Sequence, residues 1–176
     1  MPTASPTAAA TLRECRSSSL AHAPEAQASS RWRVLIVDPH PSTRKKLRLI
    51  LDGYSDLIEV VGEASNGDGA VELAGSVSID LVLMDTHLPK AVEATRFIRK
   101  IVPQVVVLGM SAEYTPYLYN AMIAAGAVAF IRMEDAGDLL FRSIVFAMCT
   151  YGPRHFHMAP LQATVQRNSF AVSSAT

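Results

Sequence analysis

The chain has 176 residues, which suffice for one well-filled domain with tails but not for two domains of ordinary size. Sixteen lysines and arginines balance sixteen aspartates and glutamates, so the sequence offers no basic footprint for nucleic acid and no attraction to an anionic membrane. The two cysteines, Cys15 and Cys149, form no CxxC pair, which argues against a structural zinc site or a disulfide framework and favours a reduced, cytoplasmic setting. No apolar run approaches the roughly 18 to 20 residues that cross a bilayer.

The two ends of the chain differ in composition from its middle. Residues 1–30 are mostly Ala, Ser, Thr and Pro with almost no large apolar side chain, so we expect a disordered N-terminal extension. Residues 152–176 carry two prolines and only isolated apolar residues, so we expect an irregular C-terminal tail. Because a helix-turn-helix module needs roughly three helices, this tail is too short to be a DNA-binding domain. The folded domain is expected over residues 31–151.

Between the tails, short apolar or β-branched runs alternate with segments of helical spacing. The runs predict five strands, at Arg33 to Asp38, Leu57 to Val61, Asp80 to Asp85, Gln104 to Gly109 and Val128 to Ile131. After the first run, apolar residues repeat at i, i+3, i+4 and i+7, namely Leu47, Ile50, Leu51 and Tyr54. Strands that alternate with helices imply right-handed crossovers. The pattern therefore predicts an α/β fold, a flavodoxin-like doubly wound sheet of five parallel strands in three α/β/α layers.

The last predicted helix, roughly Ala136 to Tyr151, is apolar on more than one side. Three of its apolar residues can face the sheet and three others lie on other sides: Leu140, Ile144 and Ala147 in the first set, Leu139, Phe146 and Cys149 in the second. The second set could be covered by another subunit, by a partner protein or by the folded-back tail. It could equally be extra core packing, and the sequence leaves these alternatives open.

Two acids close neighbouring strands of the predicted sheet. Asp38 ends the first run and Asp85 ends the third, and chemistry in open parallel sheets gathers at this carboxyl edge. Two carboxylates held close together repel, which raises a pKa or recruits a cation. An isolated Asp at a strand end usually serves as a turn or helix cap, but a pair after apolar runs favours a shared functional pocket.

Three segments carry motifs: VLIVDPHP, VVGEASNGDGAVELA and LVLMDTHLP. They resemble VLIVDDHP, VVGEASNGEEALELA and LVLLDLNMP in the receiver domains of two-component response regulators, over roughly Trp32 to Tyr151. The similarity is closest to the branch that usually carries a LuxR-type helix-turn-helix output domain, which this chain is expected to lack. The resemblance implies a regulatory module and not an enzyme, with a histidine kinase or another signalling protein as its partner.

The resemblance also implies roles for individual residues. Asp85 takes the position of the aspartate that accepts a phosphoryl group. Asp38, Asp85 and the backbone carbonyl of His87 take the positions of the magnesium ligands. Gly109, Phe130 and Met133 take three positions that couple phosphorylation to movement, with Phe130 at the aromatic switch.

This chain departs from the family pattern at several of those positions. Pro39 replaces a second acid, Gly109 replaces a Thr or Ser, and Met133 replaces a Lys. Arg132 stands one place early and is expected to point to the opposite face. Ser111, two residues after Gly109, is expected to point elsewhere, and the segment after Asp85 is about two residues shorter than in the family.

These departures predict a degenerate receiver. Phosphoryl transfer depends on positioning and on neutralising charge, so a pocket with one acid, the hydroxyl and the lysine replaced should bind magnesium weakly and phosphorylate weakly or not at all. Without the lysine, at least one carboxylate should have a raised pKa. Because the switch positions are changed, any homodimer through the fourth helix, fifth strand and fifth helix should form without phosphorylation.

Two other interpretations concern the same pocket. VDPHPST superficially resembles the signature of haloacid dehalogenase-like phosphatases, with Asp38 as nucleophile, but the second acid of that signature is missing. His40 and His87 beside two carboxylates could bind zinc or another transition metal. More simply, His40 starts a helix beside Pro41, and His87 replaces the Asn usual in this loop of receivers.

Overall fold

The computed structural model describes residues 31–113 and 115–153. In these residues, the strands are β1 Trp32–Val37, β2 Ile58–Ala64, β3 Leu81–Asp85, β4 Val106–Ser111 and β5 Ala129–Arg132. The helices are α1 Pro41–Asp52, α2 Gly67–Ser76, α3 Ala91–Ile101, α4 Pro116–Ala125 and α5 Ala136–Tyr151, with a 3₁₀ turn at Met133–Asp135 before α5. The predicted N-terminal extension, almost all of the predicted C-terminal tail, and Tyr114 lie outside the described residues.

The strands form one parallel sheet in the order β2-β1-β3-β4-β5. The chain moves outward from β1 to β2 and then crosses back to β3 on the other side of β1. The direction of winding therefore reverses between β1 and β3, and such a reversal opens a crevice at the carboxyl ends of those two strands. The predicted flavodoxin-like α/β fold is confirmed.

Helices cover both faces of the sheet, which explains why its central strands are continuous apolar runs. Helices α1 and α5 cover one face, where Leu47 and Leu51 pack with alternate residues of β1, β3 and β4. Helices α2, α3 and α4 cover the other face, where Ala70, Ala94 and Met122 pack with the intervening residues. Among the described residues, no helix is both long enough and apolar enough to span a membrane.

Three strands extend beyond their predicted ends, β5 by one residue to Arg132 and β2 and β4 by more. β2 continues to Ala64, and its pairing with β1 shifts by one residue between Val34 and Leu35. β4 continues past Gly109 to Ser111, because Met110 is fully buried and Ser111 still pairs with β5. Gly109 therefore lies inside a strand and not at its end.

Helix α5 has the boundaries and the two-sided apolar character that the sequence predicts. Leu140, Ile144 and Ala147 are fully buried against the sheet. Leu139 and Phe146 are 43% and 64% exposed, which excludes the core-packing alternative for Phe146 in the isolated chain. Two large apolar side chains of α5, Leu139 and Phe146, thus remain in contact with solvent.

Candidate functional site

The carboxyl ends of β1 and β3 bring two acids together, Asp38 buried and Asp85 partly buried. Val37 pairs with Met84 across the two strands, so that Asp38 and Asp85 follow at the same level of the sheet. Their side chains are only 4% and 15% exposed. One oxygen of each carboxylate and one ring nitrogen of His40 all lie within 4.8 Å of one another. The pocket that the sequence predicts around Asp38 and Asp85 is therefore present as a geometric arrangement.

The two acids shape the loops that follow them in the same way. Asp38 Oδ1 accepts a hydrogen bond of 2.7 Å from the backbone N–H of His40, and Asp85 Oδ1 accepts one of 3.0 Å from the backbone N–H of His87. Each turn carries an imidazole back toward its own carboxylate, with Nδ1 to Oδ1 distances of 3.4 Å for His40 and 3.9 Å for His87. The sequence signal for this arrangement is the repeated Asp-X-His of DPH and DTH, since Asp commonly bonds the backbone two residues on.

The pocket keeps the pKa of Asp85 above its ordinary value. Burial is the largest cause, the nearby Asp38 charge acts in the same direction, and the His87 N–H opposes both. The predicted raised pKa is confirmed, although burial contributes more than the repulsion between the acids. The charges that act on Asp85 come from Asp38, His87 and His40, and among the described residues they include no lysine or arginine.

The arginine nearest to the pocket is directed to other groups. Arg44 donates a 2.7 Å hydrogen bond to the backbone carbonyl of Asp38 and pairs with Glu63 at 3.1 Å. Arg48 pairs with the same glutamate at 2.7 Å, and the two arginines hold the pKa of Glu63 below its ordinary value against the opposing effect of burial. Arg44 thus braces the β1–α1 turn through the backbone.

Gly109 and Phe130 fit together across neighbouring strands. A Cβ atom built on Gly109 would lie 2.6 Å from Cε1 of Phe130, so the aromatic ring fills the space that any side chain at position 109 would need. Tyr119 of α4 packs on the same ring, with ring centroids 4.6 Å apart. The ring position therefore depends on the absence of a side chain at Gly109.

Met133, the third switch position, packs away from the two acids. Met133 begins the 3₁₀ turn beyond β5 and packs, partly buried, against the apolar cluster under α1 and α5. Arg132 is exposed and pairs with Glu134 at 2.7 Å, in line with its predicted direction. The Ser111 hydroxyl donates a hydrogen bond to the backbone carbonyl of Glu113 and also lies 3.4 Å from Nδ1 of His87. The expectation that Ser111 points away from the two carboxylates stays a prediction.

The shortened loop after Asp85 ends in an unusual backbone conformation. Lys90, at the start of α3, has a φ of 64°, in the left-handed region that is unfavourable for residues with a side chain. Its ammonium group pairs with Asp68 of α2 at 2.9 Å. The turn thus reaches α3 in few residues and is tied to α2.

Magnesium fits this donor set only in part. Each of Asp38 and Asp85 uses one oxygen for a backbone N–H and retains a second oxygen for a cation. Mg²⁺ keeps several waters and can bind through one or two carboxylates, which this pocket supplies. Pro39 adds no oxygen, and the imidazoles at the rim are poor ligands for so hard a cation.

Comparisons of the sequence with protein families and with curated proteins agree on one family. The family model of the response regulator receiver domain matches residues 34–140. The transcriptional regulatory protein DegU of Brevibacillus brevis is 31% identical over 113 residues, which cover 63% of this chain and 48% of that protein. Response regulator UvrY of Escherichia coli (strain K12) is 35% identical over 100 residues, which cover 56% of this chain and 45% of that protein. The chain therefore spans about half the length of these curated relatives.

Solved structures show the same fold. The LuxR-family two-component response regulator from Aurantimonas sp. SI85-9A1 is 25% identical, with a TM-score of 0.64 over 69% of this chain and 88% of that chain. The response regulator domain of Thermotoga maritima CheB is 30% identical, with a TM-score of 0.61 over 67% of this chain and 96% of that chain. Both are similar to the domain described here over most of their own length.

Replacement of Asp85 by Asn should stabilise the domain at neutral pH. Because folding raises the pKa of Asp85, the folded state binds the proton more tightly, and wild-type stability falls as the pH rises through the raised pKa. Urea unfolding should show the gain in Asp85→Asn at neutral pH and its disappearance below the ordinary carboxyl value of 3.8. The exposed control Asp56→Asn should change the free energy of unfolding by less than about 0.5 kcal/mol. A less stable Asp85→Asn at neutral pH would show that an unseen donor satisfies the charge.

Replacement of Gly109 by Ala should destabilise the domain by about 1 to 3 kcal/mol, because the new methyl group overlaps the Phe130 ring. Gly75 in α2 is the matched control, since a Cβ there meets nothing within 4 Å and Gly75→Ala should stabilise by about 0.5 to 1 kcal/mol. In a Phe130→Leu background the penalty at Gly109 should shrink. Equal effects of Gly109→Ala in both backgrounds would contradict the contact.

Proposed function

The chain belongs to the response regulator receiver family of two-component signalling, and we propose that it is an atypical receiver that acts by contact with other proteins. Asp85 is its residual phosphoacceptor position, and phosphorylation there is weak or absent. The observation that carries this proposal is the pocket itself, which keeps a buried and a partly buried carboxylate side by side while no described lysine or arginine acts on the charge of Asp85. The proposed role is regulatory and not enzymatic.

Weak phosphorylation follows from the charges in the pocket. A phosphoryl group arriving at Asp85 adds negative charge beside Asp38, and its transfer requires a metal and a cationic side chain to offset that charge. Asp38, Asp85 and the backbone carbonyl of His87 are the ligands we propose for a weakly bound Mg²⁺. Met133 lies against an apolar cluster and supplies no charge at all.

The arrangement of Gly109 and Phe130 supports a signalling surface that does not depend on phosphorylation. In the family the hydroxyl at position 109 links the phosphoryl group to the aromatic switch, and this chain has no hydroxyl there. The Phe130 ring already occupies the space that a side chain at Gly109 would need, and it also packs against Tyr119. A phosphorylation switch needs two positions of the aromatic ring, one of which the phosphorylated state favours over the other.

We propose that the surface formed by α4, β5 and α5 is where partners bind. Phe146 and Leu139 of α5 and Tyr117 of α4 are 64%, 43% and 79% exposed, and exposed apolar side chains that lie together mark surfaces for partner proteins. Receiver domains interact with histidine kinases and other signalling proteins, and a second copy of this chain is a further candidate. A cytoplasmic location is proposed because the curated relatives include transcriptional regulators, which act where DNA is.

The phosphatase alternative receives no comparable support. It assigns the nucleophile to Asp38, but Asp38 is only 3% exposed and its Oδ1 accepts the His40 N–H. The family match over residues 34–140 favours the receiver interpretation, in which Asp38 is an accessory acid.

Incubation with acetyl phosphate and Mg²⁺ tests the pocket. Intact mass should show little or no adduct on the wild-type chain and none on Asp85→Asn. The double variant Pro39→Asp/Met133→Lys restores an acid and an ammonium group, and it should gain an adduct that requires Asp85 and Mg²⁺. A stoichiometric, Asp85-dependent adduct on the wild-type chain would contradict the degenerate pocket, and beryllofluoride titration provides an independent measurement.

Sedimentation velocity at micromolar concentration tests the partner surface. The wild-type chain should dimerise with no dependence on acetyl phosphate, and Phe146→Glu should shift it to monomer because a carboxylate would be desolvated in the contact. Leu49→Glu is the matched control, since Leu49 is 65% exposed on α1 and lies outside the proposed surface. Circular dichroism checks the fold of each variant. A wild-type chain that stays monomeric would exclude the homodimer and leave a different partner for α5.

A further inference from the structure

We propose that a second copy of this chain binds to the surface formed by α2 and α3, in a two-fold contact that is separate from the surface of α4, β5 and α5. Phe97 and Ile101 of α3 are 55% and 48% exposed and lie one helical turn apart. Helices α2 and α3 cover the opposite face of the sheet from α5. A contact through Phe97 and a contact through Phe146 can therefore form at the same time.

Phe97 and Ile101 border the groove between the two helices. Gly67 of α2 lies against Ala94 of α3, where a Cβ on the glycine would be 3.1 Å from the alanine Cβ. Phe97 and Ile101 follow Ala94 by three and seven residues, so they lie on the same side of α3, toward α2. Gly75 is exposed about two turns after Gly67 on α2, and a Cβ there would meet nothing within 4 Å. The groove thus has apolar side chains on one wall and open space on the other.

The outer sides of the two helices carry charges of opposite sign. Helix α2 exposes Glu72, whereas the last two turns of α3 expose Arg96 and Lys100. Among the described side chains, none of these three has an ion-pair partner. The other acid of α2, Asp68, already pairs with Lys90. The exposed apolar pair of α3 is therefore bordered by charges of both signs that are available for contacts with another molecule.

The placement of these charges favours a second copy as the occupant. Because the strands are parallel, α2 and α3 run parallel to each other, and Glu72, five residues after Gly67, is level with the last turn of α3. A two-fold axis that runs between the helices and along them lays α2 of each copy over α3 of the other without changing these levels. Glu72 then lies opposite the partner's Lys100, and the Phe97 and Ile101 pairs of both copies meet near the axis. The complementary charges are thus used twice in one isologous contact.

The contact is expected to be weaker than a contact through α5. It buries two large apolar side chains from each copy, and exposed ion pairs add little to stability. Small contacts of this kind are transient. We therefore expect association through α2 and α3 at about 500 µM protein and none at about 5 µM.

Sedimentation velocity of the full-length Phe146→Glu chain tests the contact, because this variant removes the proposed contribution of α5. It should be monomeric at about 5 µM and dimeric at about 500 µM. Adding Phe97→Glu should keep it monomeric at both concentrations, because a carboxylate would be desolvated in the contact. Adding Leu49→Glu instead is the matched control, since Leu49 is 65% exposed on α1, and that variant should still dimerise. Circular dichroism checks the fold of each variant.

An exchange of charges tests the pairing of α2 with α3. In the Phe146→Glu chain, Glu72→Lys or Lys100→Glu alone should weaken dimerisation by about tenfold, because each places like charges opposite one another twice. Both changes together should restore the affinity to within about threefold of the starting value.

Three results overturn the proposal: a Phe146→Glu chain that stays monomeric at about 500 µM, dimers that survive Phe97→Glu, or an exchange of charges that does not restore affinity. Each of them leaves the proposed signalling role intact. The acetyl phosphate experiment and the sedimentation experiment at micromolar concentration do not depend on α2 or α3.

Discussion

The parallel pairing of β1 with β3 is the constraint on which this site depends. It reverses the winding of the chain at the centre of the sheet and fixes Asp38 and Asp85 at one level of the sheet. The positions of both acids are set by the apolar strands that precede them, because those strands are packed on both faces of the sheet. The domain therefore keeps a focused negative charge whether or not that charge is used for phosphoryl transfer.

This chain keeps some residues of the receiver pattern and replaces others. The acids at the ends of β1 and β3 remain, whereas the Thr or Ser and the Lys of the family pattern are replaced by Gly109 and Met133. Met133 packs in an apolar cluster and Gly109 accommodates an aromatic ring, so both replacements contribute to packing. In the loops that follow the two acids, His87 takes the place of the Asn usual in receivers, whereas His40 is also present in the family motif.

Much of the fold could be predicted because the apolar runs are long enough to define buried strands and the helical stripes are regular. The extension of β4 could not, because Gly109 resembles a strand end in sequence while pairing with β5 carries the strand on to Ser111. The pocket acids were predictable from their place after apolar runs. The start of α1 after His40 was predicted as well, whereas the approach of Ser111 to His87 was not, because it depends on an extra residue pair in the sheet.

The contact between Gly109 and Phe130 affects how readily position 109 could regain the Thr or Ser of the family pattern. A single substitution that restores Thr or Ser at position 109 must expel a ring that is also packed against Tyr119, so the first step back loses stability before any signalling is regained. A return to phosphorylation control would need coordinated changes at three elements, with β4, β5 and α4 altered together. The packing at Gly109 therefore opposes the return of a hydroxyl at this position, and under the proposed function it favours a mode of action that does not depend on phosphorylation.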